Sequence, residues 1–507
     1  MNHDNLGANI MAASLERAMN ISPTCPAVVC GDAEFTYLEF GSRCRRLAGA
    51  LGTLGLKPGD RVAAVSTNCH RILELYIGVP AAGFVFVPIN PRLGDAEIRY
   101  ALKDSDASLM FTDRDGLEGV CGDLHSLSHD YESLVSGAEE ATFRNVEADA
   151  VATIFYTGGT TGGAKGVKLT HQNLACNAKT WTSEWSFDRN TRWGLIAPLS
   201  HLAGTNAILT TVGHAGCHVV QPSFSAGEVL DLIERWRVTA TLVVPTMLAA
   251  MTEEQRVRPR DVSSLVNISH GGAPISTDTL RRAHEAFPHT GLMEIYGTTE
   301  TAPNITFLTG EENLLDSPEI RSCGRPVPGA EIAVVDNDNR PVPSGSFGEV
   351  VVRGPLVMAG YWNKPEATAA AIIDNWYHTG DIGMCDSQGY LYLVDRKKDV
   401  INSGGENVYS VEVEDVLYDH PLVLEAAVFA IPDRRWGEAV HAVVTTRGHV
   451  QPEELIKHCR DRIAPFKVPK SVTIAKEPLP KSAAGKIIKR ALREPYWSGR
   501  NERIAGS

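Results

Sequence analysis

Residues 155–167 read Phe155-Tyr-Thr-Gly-Gly-Thr-Thr-Gly-Gly-Ala-Lys-Gly-Val167, and they follow the apolar run 151–155. An apolar run of this length reads as a buried strand. The five glycines behind it let the backbone turn tightly and aim N–H groups at anionic oxygens. Thr157, Thr160 and Thr161 add hydroxyl donors, and Lys165 adds a positive charge. With Gly158, Gly159 and Gly162 between them, they make a loop suited to cradling phosphate. It is not the GxxxxGK[ST] loop, because Lys165 follows Ala164 and precedes Gly166. A flexible surface turn has no need of three threonines and a lysine set among glycines.

On both sides of this loop the chain alternates strand and helix patterns. Residues 38–54 carry apolar side chains at helical spacing, and Lys57-Pro-Gly-Asp60 reads as a turn. Residues 61–65 and 84–87 read as strands, residues 96–102 as a helix and 107–112 as another strand. Residues 113–149 are polar, and an irregular surface segment is expected. Beyond the loop, short apolar runs at 194–197, 241–244, 265–268 and 292–295 each end in residues rich in Gly, Pro, Ser or Thr. This alternation predicts parallel, doubly covered sheets with ligands gathered at the strands' carboxyl ends. From 330 to 394 the strands shorten and a β-rich subdomain is expected. After Asp395-Arg-Lys-Lys398 the pattern becomes a separate α+β unit. The expected fold is thus α/β: a large N-terminal domain of layered sheets, residues 1–395, and a small C-terminal domain, residues 396–507.

Composition narrows the function. The chain has 507 residues, 43% apolar and 21% charged, with a net charge of −13. An acidic surface argues against nucleic acid as the main partner. The most apolar stretch, 76–89, is broken by Pro80 and Pro88 and is shorter than the ~20 residues of a membrane helix, so no integral membrane segment is expected. Ten cysteines show no CxxC pair and no zinc-ligand spacing, as expected for reduced thiols in the cytoplasm. No secretory signal is read at the N-terminus.

Four more segments stand in order after the loop: Tyr296-Gly-Thr-Thr-Glu300, Tyr377-His-Thr-Gly-Asp381, Asp395-Arg-Lys-Lys-Asp399 and Pro480-Lys-Ser-Ala-Ala-Gly-Lys486. Each alone is weak; a Thr/Glu turn can be a helix cap, and a charge run can be a solvated face. The ordered set of five resembles the adenylate-forming superfamily of acyl-CoA synthetases, luciferases and peptide-synthetase adenylation domains. The resemblance covers roughly residues 35–489.

That resemblance implies a mobile C-terminal domain and a reaction in two halves. A carboxylate and ATP give an acyl-adenylate and pyrophosphate, and a thiol then displaces AMP. It implies ATP, magnesium and coenzyme A as cofactors. It also implies residue roles. Residues 157–165 match the triphosphate loop, Glu300 the magnesium ligand and Thr299 an α-phosphate contact. Gly272, Ala273, Pro274 and Tyr296, with Gly297 and Thr298 after it, match the walls of the nucleotide site. Asp381 and Arg396 match the ribose contacts. Lys486 matches the lysine bridging carboxylate and α-phosphate, and Lys398 the hinge. Two positions depart from the commonest loop: Gly158 stands where serine is usual and Ala164 where proline is usual.

The acid and the thiol are less sharply written. Pro198-Leu-Ser-His-Leu-Ala-Gly204 matches the segment gating the acyl pocket, with His201 at the gate. Amino-acid-activating relatives place an aspartate where Leu202 stands; leucine would leave an α-ammonium unpaired and costly to bury. Residues 206–213 and 304–306 are expected to complete a pocket for an aliphatic or aromatic acid of moderate size. Gly405 matches a glycine beside the pantetheine tunnel, and Pro432-Asp-Arg-Arg-Trp-Gly-Glu438 resembles aryl-CoA ligases. Trp436 and Phe466 are candidates to stack on CoA, with Arg434, Arg435, Lys467 and Lys470 near its phosphates. A carrier-protein phosphopantetheine is an alternative acceptor. A catalytically silent nucleotide-binding protein and a luciferase-like oxygenase are the remaining readings.

Overall fold

The computed structural model describes residues 9–157, 164–273, 275–310, 315–397, 399–481 and 487–497. It divides into two compact units. One comprises Met1–Pro274, Arg281–Ile332 and Val352–Tyr377; the other comprises Ile275–Leu280, Ala333–Val351 and His378–Ser507.

The first unit is built on two large sheets. One has six strands in the order Asp123–His125, Ala107–Thr112, Arg61–Val65, Val85–Ile89, Val151–Thr157 and Lys165–Thr170. All run parallel except Lys165–Thr170, which returns antiparallel to Val151–Thr157 with Thr157 opposite Lys165. Its side chains alternate between two cores, as a pleated strand requires. Ala63, Val65, Val87 and Ile154 pack on one face with Ile98 and Leu102 of the helix Asp95–Asp104. Val62, Ala64, Phe86 and Phe155 face the other core, shared with the helices Ile10–Ile21, Tyr37–Thr53, His70–Ala81 and His171–Glu184.

The second sheet has nine strands, in the order Arg325–Pro326, Thr306–Leu308, Gly291–Tyr296, Asn267–Gly271, Ala240–Val243, Arg192–Leu195, Cys217–Val220, Pro26–Cys30 and Ala33–Thr36. The six strands from Gly291–Tyr296 to Pro26–Cys30 are parallel. Val243, His270 and Glu294 are register partners, so their strands end on one edge of the sheet.

Local signals explain the elements. Thr36 accepts a hydrogen bond from the Glu39 N–H while the Glu39 carboxylate accepts from the Thr36 N–H, a capping box that starts Tyr37–Thr53. The Lys57–Asp60 turn closes with Asp60 N on Lys57 O at 2.9 Å. The expected strand at 265–268 lies two residues on, at Asn267–Gly271. The expected irregular surface at 113–149 is corrected. It holds the strand Asp123–His125 and the helix Asp130–Gly137, anchored by buried Leu127, Tyr131 and Val135 at helical spacing. Tyr131 donates to the wholly buried Glu74 carboxylate at 2.9 Å, which Arg43 also meets at 2.8 Å. Polar surroundings hide this three-residue stripe from a reading by composition.

In the second unit, residues 381–385 of the strand Trp376–Cys385 pair antiparallel with Leu391–Arg396, setting Asp381 opposite Arg396. A further sheet orders Glu406–Val408, Ile401–Ser403, Gly437–Thr446 and Val423–Asp433, with Ser471–Ile474 beside Gly437–Thr446. The helices Ser410–Tyr418 and Pro452–Arg460 supply Val413, Leu417 and Leu455 to its core. This is the α+β pattern expected after residue 396.

Candidate active site

The glycine-rich loop is the turn of a β-hairpin. Its first strand carries Thr157, and its return strand begins at Lys165. A strand, not a helix, follows the loop, so no helix N-terminus is presented here. Gly158, Gly159, Thr160, Thr161 and Gly162 lie outside the described residues. Gly166 serves packing: a Cβ there would press on Ile154 at 2.8 Å and on Trp362 at 3.3 Å.

The return strand is joined on its far side by residues 359–362. Lys168 N donates to Gly360 O at 3.0 Å and Trp362 N to Gly166 O at 2.7 Å. Val167 and Tyr361 form a bridge. This places the Tyr361 ring under the Lys165 ammonium, 4.6 Å from Nζ to ring centre. The Tyr361 hydroxyl donates to Glu300 Oε1 at 2.9 Å. Burial, then the Glu300 charge, pushes this phenol far above its ordinary pKa, so it stays protonated and donating. No sequence pattern marks Tyr361.

Glu300 stands on a turn between Gly291–Tyr296 and the antiparallel Thr306–Leu308. Thr298 N donates to Thr301 Oγ1 at 3.0 Å, and Met358 N donates to Glu300 O at 2.9 Å. Gly297 is obligatory, because the Pro303 carbonyl occupies the place of its Cβ. Tyr296 is buried, while Thr299 is half-buried. Gly272, at φ +80°, and Ala273 leave the neighbouring strand at the same edge. Pro274 lies outside the described residues. Upstream in the Tyr296 strand, desolvation pushes Glu294 up to about 8.

The Pro198–Gly204 segment leaves the strand Arg192–Leu195 of the same sheet. Asn68, which sequence reasoning missed, pins it by accepting from Leu199 N at 2.8 Å and donating to Ala197 O at 3.0 Å. His201 precedes the short helix Leu202–Thr205 and is half-buried; Leu202 is buried. Asn206 Oδ1 accepts from Asn177 at 2.7 Å and from the Trp181 indole at 2.9 Å. Its amide donates to Asn304 Oδ1 at 2.7 Å. Asn206 and Asn304, expected in the acyl pocket, are thus tied to each other in a buried network. That network holds the His201 segment against the Glu300 turn.

In the second unit, Arg396 Nε meets Asp381 Oδ1 at 2.7 Å. The Asp381 N–H donates to Thr379 Oγ1, whose hydroxyl donates to Val350 O. Beside them Glu349 takes Lys397 at 3.0 Å and His378 at 3.1 Å. Burial alone would raise the Glu349 carboxyl; these two hydrogen bonds outweigh it and hold it below its ordinary value. Gly404 N donates to Trp436 O, and the indole lies against Gly404, leaving open space beside Gly405. Trp436 and Phe466 are exposed. The Arg435 guanidinium lies 4.5 Å over the Trp436 ring. Lys467 is paired with Glu412 at 2.8 Å. Lys398 and Lys486 lie outside the described residues.

A hairpin loop with phosphate-binding chemistry, strand-end glycines and a carboxylate near a lysine define a nucleotide-dependent α/β enzyme. Comparison with known proteins agrees. The AMP-binding enzyme model matches residues 15–362, and the AMP-binding enzyme C-terminal domain matches residues 412–486. A feruloyl-CoA synthase of Amycolatopsis sp is 38% identical over 489 residues, covering 95% of this chain and 98% of its own. ATP-bound MatB from Rhodopseudomonas palustris matches with a TM-score of 0.90 at 30% identity, over 97% of this chain and 99% of that one. O-succinylbenzoate coenzyme A synthetase from Bacillus subtilis, in complex with ATP and magnesium ion, matches at 0.84 and 30%, over 95% and 98%. The chain belongs to the AMP-binding enzyme family. It is an AMP-forming acid–CoA ligase that uses ATP, magnesium and coenzyme A. Among the described residues no helix is long and apolar enough to cross a membrane.

Proposed function

We propose that this ligase activates an aromatic carboxylic acid, with the roles of its residues divided between the two units. The observation that supports the nucleotide roles most is the meeting of Lys165 and Glu300 on Tyr361, all three within the first unit. A cation and a carboxylate arrive there from different sheets, as a metal–triphosphate complex requires. Residues 157–165 hold the β- and γ-phosphates, and Thr299 holds the α-phosphate. Tyr296, Gly272, Ala273 and Pro274 flank the adenine, with Gly297 and Thr298 shaping the turn. Glu300 suits magnesium by its donor chemistry. Its carboxylate takes one hydrogen bond among the described residues, and a magnesium ion on a nucleotide needs only one or two protein carboxylates. When bound, the metal neutralises phosphate charge as the acid approaches.

Asp381 accepts from the ribose hydroxyls while Arg396 braces it. The acid's carboxylate oxygen attacks the α-phosphorus and pyrophosphate leaves; Lys486 bridges the two anions at that moment. The thiolate of coenzyme A then attacks the acyl carbonyl and AMP leaves. Gly405 gives the pantetheine close approach, and Trp436 and Phe466 offer faces to the CoA adenine. His201 gates the acyl site, and Lys398 is the hinge of a mobile C-terminal domain, residues 396–507, following an adenylation domain of residues 1–395. An acyl carrier protein presents the same thiol chemistry as a second acceptor.

The aromatic assignment rests on buried Leu202, which disfavours an α-ammonium, and on the 38% identity to a feruloyl-CoA synthase. None of the ten cysteines is in a disulfide, in keeping with a cytoplasmic enzyme. The test is CoA-dependent AMP release across aromatic, aliphatic and dicarboxylic acids. A kcat/KM highest for an aliphatic acid would overturn the aromatic assignment. Lys486→Ala is expected to abolish acyl-adenylate formation yet spare discharge of preformed acyl-adenylate to CoA. Equal loss in both halves would remove Lys486 from its role.

A further inference from the structure

We infer that Tyr361 is a positioning residue that couples the metal carboxylate to the phosphate-loop lysine. The inference rests on the reading of Glu300 as the magnesium ligand and Lys165 as a phosphate contact. Three observations carry it. The Tyr361 hydroxyl donates to Glu300 Oε1 at 2.9 Å. Its ring lies 4.6 Å from Lys165 Nζ. Its backbone is fixed on the return strand of the hairpin by the bridge to Val167 and the Trp362–Gly166 hydrogen bond. Tyr361 is 6% exposed, so the ring is held by packing and is not a free rotor.

The chemistry explains why a tyrosine suits this place. A phenol has one proton to give, and it is given to Oε1. Tyr377 also lies within hydrogen-bond reach of this hydroxyl. The Glu300 carboxylate is therefore oriented by a neutral group, and its charge is not cancelled as an arginine would cancel it. Oε2 takes no hydrogen bond among the described residues and is the oxygen left for a cation. The ring's negative face attracts the Lys165 ammonium without forming an ion pair. Direct pairing of Lys165 with Glu300 would silence both groups before the nucleotide arrives. Tyr361 stands between them as a spacer and keeps each charge available.

The test measures binding, without turnover. The dissociation constant of a non-hydrolysable ATP analogue is measured by calorimetry in excess magnesium and in EDTA, and the ratio of the two gives the magnesium coupling. Tyr361→Phe keeps the ring and loses the hydroxyl. It is expected to reduce the coupling about tenfold, the worth of one hydrogen bond to a charged group, with little change in EDTA. Tyr361→Leu also removes the ring and is expected to weaken binding in EDTA roughly threefold, through Lys165. Glu300→Gln is expected to lose most of the coupling, and adding Tyr361→Phe to it should cost nothing more. If Tyr361→Phe keeps the wild-type coupling while Glu300→Gln loses it, the positioning role is overturned and the metal assignment stands. Additive losses in the double variant also overturn it. If Glu300→Gln keeps the coupling, the metal assignment falls and takes the inference with it.

Discussion

Glu300, on the turn after Gly291–Tyr296, and Asp381, within the strand Trp376–Cys385, are both carboxylates, but their partners differ in charge. Glu300 accepts from the neutral Tyr361 phenol at 2.9 Å. Asp381, 5% exposed, is met by the Arg396 guanidinium at 2.7 Å. A neutral donor orients a carboxylate and leaves its charge for a divalent cation. A guanidinium orients it and cancels the charge, leaving acceptor lone pairs that suit hydroxyl donors and do not repel a neighbouring phosphate. The residue type is similar in the two places; the second residue decides what each is suited to hold.

The sharpest way to break this contrast is to remove each charge in turn. Glu300→Gln should lower kcat/KM about 100-fold at limiting magnesium, with part of the loss recovered as magnesium rises. An unchanged magnesium titration would put Glu300 on the same footing as Asp381. Asp381→Asn should weaken ATP about 30-fold through two altered hydroxyl contacts, with no change in magnesium dependence. It should also erase any preference for ATP over its 2′- and 3′-deoxy forms. A retained preference would break the comparison from the other side. Arg396→Gln should have a smaller effect, roughly a three- to fivefold rise in KM for ATP, because Arg396 is half in water and its pairing is screened.

A third carboxylate sharpens the picture through stability. Glu294 has no ion-pair partner among the described residues, and desolvation lifts it to about 8. The folded chain then binds more protons than the unfolded chain between the ordinary value and about 8. Stability should therefore fall as pH rises through that window. Glu294→Gln should remove that slope and gain about 1–2 kcal/mol at pH 9 while gaining little at pH 5. Thermal melts of both proteins across this range are the check. Parallel curves would show that Glu294 ionises as easily folded as unfolded.

The difference in partners also explains what is legible in the sequence. Alternating apolar runs give both parallel sheets, because a buried strand needs only its own few residues to declare itself. The Thr157–Lys165 loop, the Glu300 turn and the Asp381 strand are short contiguous patterns. Arg396 is legible because it opens a charge run. Tyr361 is not, since it meets a glutamate 61 positions away and stands in no run of its own. Asn68 is hidden for the same reason, pinning a turn 131 positions later. Gly166 reads as one more phosphate-loop glycine, yet a close approach to Ile154 and Trp362 demands it. The helix Asp130–Gly137 shows the same limit: its buried stripe is sparse and set among polar residues.

Gly297 has a consequence for anyone who would retune this enzyme by selection. The Pro303 carbonyl fills the space a side chain would need there. A library randomised across 297–300 should return glycine at its first position from every functional clone, whatever acid the selection rewards. Diversity spent on that codon is lost before screening begins. Variation is better placed at Leu202, in the segment proposed above to gate the acid.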